Sequence, residues 1–160
     1  MANPTGYSRI QIALHWIIAL LILFQFLFHD SMQEAWHAIE KGEAEPGGLH
    51  PHAVVGVIVL ILMIVRLVIR RRHGAPELPA GGNPLQDLAA VWTHRLLYVL
   101  LFLIPLSGMI AWNFGATAAA SAHGTMFFVA LVLIGLHVVA AIYHQYVLKD
   151  GLIRRMMKAE

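Results

Sequence analysis

The 160-residue chain contains no cysteine. That absence excludes disulfides, thioether-attached haem and cysteine-held iron–sulfur clusters. Charge is also scarce. Only 12% of the residues are Asp, Glu, Lys or Arg, against 59% hydrophobic. A soluble globular domain carries roughly a quarter charged residues and about half apolar ones, so this composition does not suit one. No internal repeat and no low-complexity tract appears.

What the chain has is four long apolar runs, at about 10–28, 53–69, 96–112 and 125–148. With its flanks, each is long enough to cross roughly 30 Å of hydrocarbon as a helix. Arg66 sits near one end of the second run, from where its head group can snorkel to the interface. The expected fold class is all-α: an integral-membrane four-helix bundle, one domain over 1–160, with helices at about 9–28, 52–70, 92–112 and 123–148. The first run is read as retained, because it is long, carries His15 and Gln25 and lacks a small-residue cleavage site.

The basic residues orient the bundle. With the N-terminus in the cytoplasm, Arg9, Arg66, Arg70, Arg71, Arg72, Arg95, Lys149, Arg154, Arg155 and Lys158 fall inside and only Lys41 outside. This bias places both termini in the cytoplasm, with membrane lipids as the surrounding partner. The net charge of +2 therefore reports topology, and no nucleic acid need be invoked. The first outside loop, about 29–50, is acidic, and its Trp36 and Ile39 suit a short interfacial helix. The inside stretch "RRRHGAPELPAGGNPLQD" reads as an irregular loop. The second outside loop, "NFGATAAASAHG", has no formal charge, and the basic tail "KDGLIRRMMKAE" suits an anionic leaflet. Trp16, Trp36, Trp92 and Trp112 read as an aromatic belt. Gly56, Gly108 and Gly135 allow either close helix packing or room for a flat cofactor.

Ten histidines stand out against this background. His15 lies in the first helix towards the inside, and His94 opens the third there. His52 opens the second helix at the outside, and His123 opens the fourth. His137 and His144 follow along that fourth helix. From His123 to His137 the helix turns about 1400°, nearly four whole turns, over about 21 Å. His144, seven residues on, falls within about 20° of the same face. His52 and His123 share one depth, and His15 can meet either His137 or His144 at the other. A zinc site would gather three or four ligands at one depth. Candidates that come in twos, at two depths, fit axial imidazoles on two non-covalent haems b. A histidine-lined proton or metal transporter is the alternative reading.

The same segments resemble the bacterial cytochrome b561 family, itself related to haem-b subunits of membrane-bound hydrogenases and formate dehydrogenases. The resemblance rests on "YSRIQIALHW", "HAVVGVIVLILMIVRLVIR", "HRLLYVLLFLIPLSG" and "HGTMFFVALVLIGLHVVAAIYHQYVLKDGLIRRMM", in that order over nearly the whole chain. It implies two haems b in a bacterial inner membrane, with His15 and His137 as axial iron ligands of the inside haem. His52 and His123 take those roles for the outside haem. Arg66 and Arg9 are candidate propionate partners. The resemblance also implies electron exchange with the quinone pool. His144 is then a candidate quinone contact, with His94 and Lys149 as further candidates. The sharpest expectation is superoxide oxidation outside coupled to ubiquinone reduction inside. Set against it, the acidic outer loop offers weak steering for an anion, which keeps a redox protein partner open as donor. In that case the chain would be a relay subunit for a dehydrogenase.

Overall fold

The computed structural model describes residues 6–76 and 83–159. Four helices in it are long and apolar enough to cross a membrane. Among the described residues there is no strand.

The first, α1, spans Arg9–Leu27. It starts on a reciprocal cap in which Ser8 Oγ accepts from the Gln11 amide at 3.3 Å and Gln11 Oε1 accepts from the Ser8 amide at 3.0 Å. Phe28 ends α1 and opens α2, His29–Glu40. α3 runs Pro51–His73, with Pro51 in the first turn, where its missing N–H is harmless. α4 runs Pro84–Phe114 behind an Asn83 cap and continues unbroken through Pro105. α5 runs Thr117–Tyr143 and passes into a π-helical turn, His144–Leu148. A short 3₁₀ turn, Arg154–Met156, follows.

Two boundaries differ from the sequence expectation. α4 begins at Pro84 rather than near 92, because Asn83-Pro84 is a helix start inside a stretch that composition alone reads as loop. The described part of that inside connection is only 74–76 and 83, and residues 77–82 lie outside the described residues. α5 begins at Thr117, so most of "NFGATAAASAHG" is helical. Its alanines are strong helix formers, and a turn at Gly115 in the left-handed region (φ 62°) is all the connection needs. His94 and His123 therefore lie well inside their helices and do not open them.

Packing is uneven. Ile18 of α1, with Val59 and Met63 of α3, forms the buried centre, and Tyr98 and Leu101 of α4 close over it. α5 lies along α4 and contributes one fully buried residue, Ala130. Among the described residues α5 has no extensive packing on α1 or α3. A cleft thus opens between α5 on one side and α1 and α3 on the other. Outward positions such as Leu20, Leu23 and Ile61 are exposed, as a lipid-facing surface requires.

Polar ties close the ends. At the end where α1 starts and α3 finishes, Gln11 is buried and its Nε2 donates to Gly74 O at 2.9 Å. Arg66 donates to Gln11 O at 3.1 Å and to Tyr98 Oη at 3.2 Å, joining three helices. This is the basic end, and the other is the α2 end. There Trp112 is buried and donates to Gly48 O at 2.9 Å, so it clamps a loop instead of lying in a lipid belt. Trp16 likewise donates to Met156 O at 2.8 Å, which brings the tail back against α1.

Candidate functional site

At the α2 end, His52 sits in the first turn of α3. Its carbonyl accepts from Gln25 Nε2 at 2.9 Å, which pins that turn to α1. His123, on the facing side of α5, donates from Nδ1 to Ile104 O on α4 at 2.8 Å. That bond fixes the tautomer and leaves Nε2 with a free lone pair. The ring also rests on Gly108, where a Cβ would come within 2.9 Å of two ring atoms. The His52 and His123 ring centroids are 6.0 Å apart. His52 Nδ1 is buried with no hydrogen-bond partner. A buried polar atom without a partner calls for one, or for a half-turn of the ring.

Both rings line a cavity of about 620 Å³, within the usual range for a ligand pocket. Its roof is α2, whose His29, Met32 and Trp36 turn towards it. The short helix expected around Trp36 is present, but Trp36 faces the cavity. His50, expected to be a solvated loop residue, instead caps α3: its Nδ1 accepts from the His52 amide at 3.3 Å, and its ring lies 5.5 Å from that of Trp112.

At the basic end, His15 of α1 and His137 of α5 face each other with centroids 6.4 Å apart. His94 of α4 meets the same His137 ring edge-on at 5.0 Å, and its Nδ1 donates to Ala90 O at 2.6 Å. Arg66 is a charged neighbour of all three. Arg9 is exposed, and its side chain makes no hydrogen bond or ion pair among the described residues. His144 does not continue the helix as the sequence suggests. It opens the π-helical turn, and its Nδ1 bonds Asp150 Oδ2 at 2.5 Å. Lys149 is exposed, in the left-handed region at φ 56°.

Comparison with known proteins decides what this arrangement belongs to. A family model described as prokaryotic cytochrome b561 matches residues 6–159. The chain belongs to that family. It is 41% identical over 160 residues to a cytochrome b562 of Cereibacter sphaeroides, covering 99% of each chain. It is 28% identical to a probable superoxide oxidase CybB of Yersinia pestis, over 94% of this chain and 95% of that one. It is also 28% identical to cytochrome b561 homolog 1 of Escherichia coli, over 94% and 96%.

A cytochrome b561 is a membrane protein of haem-b electron transfer, and the residues present fit that group. Two imidazoles on opposite sides of one metal ion, each with nitrogen about 2 Å from it, have centroids roughly 6 Å apart. The two pairs across the cleft match this, at 6.0 and 6.4 Å. His94 and His137, at 5.0 Å, are too close for it. Among the described residues no three His, Asp or Glu side chains converge as a metal cage.

Asp150 escaped the sequence reading. Its signal was present in "HQYVLKDG": an acid placed to fold back where Gly151 turns the chain at φ 75°. Gly108 was visible only as an ambiguous helix glycine. Its place under His123 depends on how α4 and α5 cross.

Proposed function

We propose that this chain is a single-domain, two-haem electron carrier of the bacterial inner membrane, with both termini cytoplasmic. His15 and His137 are the axial ligands at the basic, cytoplasmic end, and His52 and His123 those at the α2 end. The observation that carries this reading is the pairing itself: one face of α5 presents two imidazoles, and each meets a partner from another helix at ligation spacing. Bound haem supplies one-electron chemistry; the chain sets its ligation, burial and access.

The side chains suggest distinct tasks. Ile104 O and Gly108 hold the His123 ring. Arg66 supplies a cation beside the basic-end pair and is the better propionate partner, since Arg9 stands apart in solvent. α2 shields the cavity from water. The name of one relative, a probable superoxide oxidase, supports superoxide as the electron donor; we place its oxidation at the α2 end and ubiquinone reduction at the basic end. Two superoxide ions give two dioxygen molecules and two electrons; ubiquinone takes those electrons and two protons to become ubiquinol. His144, His94 and Lys149 are the candidate quinone contacts.

A second reading has its own support. The outer face of α2 exposes Asp30 and Glu34, which repels a small anion and suits a basic redox protein. In that case the chain relays electrons for a partner. The test is direct. Superoxide pulses given to purified, haem-loaded protein should reduce ubiquinone with no other protein present. Turnover that appears only after a partner dehydrogenase is added supports the relay instead.

A further inference from the structure

The end of α5 is built unlike the rest of the molecule. At His144 the α-helical hydrogen bonding gives way to a π turn, and the His144 carbonyl takes the amides of both Lys149 and Asp150, the latter at 3.3 Å. The chain then folds back so that Asp150 Oδ2 meets His144 Nδ1 at 2.5 Å. The second carboxylate oxygen, Oδ1, accepts from the Leu152 amide at 3.1 Å. Ile153 N donates to Gln145 Oε1 at 3.2 Å, and Trp16 ties Met156 to α1 at 2.8 Å. Only 20% of the His144 side chain and 18% of the Asp150 side chain remain exposed. The carboxylate is therefore oriented by the tail, and it orients the imidazole.

This geometry has a chemical consequence. A carboxylate on Nδ1 holds the proton there and leaves Nε2 as the working nitrogen; it also stabilises the ring once Nε2 is protonated. A haem propionate as the ring's other partner is disfavoured, because it would bring a second anion close to Asp150. A neutral acceptor that needs a proton is the better match. The pair lies about 10 Å along the helix axis from His137, at the end where the basic residues gather.

We propose that His144 and Asp150 form the proton-delivering pair of the quinone-reducing site. This rests on the reading that quinone is reduced at the basic end. His144 gives a proton from Nε2 to a quinone oxygen; Asp150 is a positioning residue that holds the ring through Nδ1. Reduction of one quinone to quinol takes two electrons, arriving singly from the electron-transfer chain of the protein. It also takes two protons. In each delivery the imidazolium N–H bond breaks and a quinol O–H bond forms. Water at the basic face re-protonates the ring between the two.

The test uses haem-loaded protein, chemically reduced in advance, and follows its reoxidation by absorbance after mixing. One acceptor is a short-chain ubiquinone. The other is ferricyanide, which takes an electron and no proton. Asp150→Asn should slow reoxidation by ubiquinone at least about tenfold, less than the roughly 10²–10⁴-fold of positioned proton transfer because His144 itself remains. It should leave the ferricyanide rate and the haem content unchanged. Asp150→Glu, which keeps the carboxylate, should hold most of the ubiquinone rate, and serves as the second variant if Asp150→Asn loses haem. In ¹⁵N spectra of the reduced protein, Asp150→Asn should shift the tautomer balance of one histidine, the one lost in His144→Gln.

Three results would overturn the proposal. If Asp150→Asn is as fast as wild type while His144→Gln is slow, the quinone reading survives and the pair does not. If both variants are as fast as wild type, quinone reduction at this histidine fails as well. If both acceptors slow equally, Asp150 has a structural role only.

Discussion

The two histidine pairs use the same helix face and live in different surroundings. At the α2 end the pair lines a half-open cavity. His123 is locked by a carbonyl and a glycine, α2 forms a roof, and the cavity between is about 620 Å³. At the basic end the pair is crowded by polar groups. His94 touches His137, Arg66 lies beside all three rings, and the His144–Asp150 pair follows one helical stretch later. A pair held by a backbone carbonyl and packing, with no charged group against it among the described residues, suits electron passage. A pair bordered by cations and an imidazole–carboxylate couple suits a reaction in which charge and protons move together. This contrast is what the proposed proton chemistry at the basic end rests on.

The largest expected effect comes from removing one ring at a time. His123→Ala should halve the haem per polypeptide and leave the basic-end signal in a redox titration. His137→Ala should halve it the other way. Loss of both haems in either variant would mean that the two ends are not independent. A smaller effect is expected at Gly108. Its missing Cβ is 2.9 Å from the His123 ring, so Gly108→Val should displace that ring, cost about 1–3 kcal/mol in stability and disturb only the α2-end spectrum. Gly56 is the control, since a Cβ there would sit 3.7 Å from Gln25 Nε2, and Gly56→Ala should be nearly silent.

Arg66→Gln sharpens the comparison further. Removing a partly buried cation should lower the midpoint potential of the basic-end haem by tens of millivolts, because reduction adds negative charge. The other haem should not move, and Arg9→Gln should shift neither. Equal shifts at both haems would show that Arg66 acts on the whole bundle through the helix contacts it holds. The smallest effect is at Trp112. Trp112→Phe removes one hydrogen bond to Gly48 O and should lower stability by about 1 kcal/mol in a thermal melt, with haem content kept.

Much of this was legible in sequence for a simple reason. A helix that crosses hydrocarbon must be long and apolar, so four spans could be read from composition. Hydrocarbon also makes an imidazole conspicuous, which marked His15, His52, His123, His137 and His144 as candidates; choosing His137 over His144 took the family resemblance. The 14-residue step from His123 to His137 is a property of one helix and needs no neighbour. Boundaries were harder. "ATAAASAHG" looks like a loop by hydropathy and is helix by propensity. "NPLQD" looks like a loop by its proline and is a helix start by capping.

The sequence by itself determined the four spans, the clustering of basic residues at one end and the shared face of His123 and His137, all of which follow from local chemistry or helical period. It left open whether His137 or His144 meets His15. Only the tertiary structure brought His15 within 6.4 Å of His137, because that depends on how α1 lies relative to α5. It also turned the tail so that Asp150 reached His144, laid α2 over the cavity and put Gly108 beneath an imidazole. Those four facts are contacts between segments distant in space or reversed by a turn, and the helical period of the chain does not contain them.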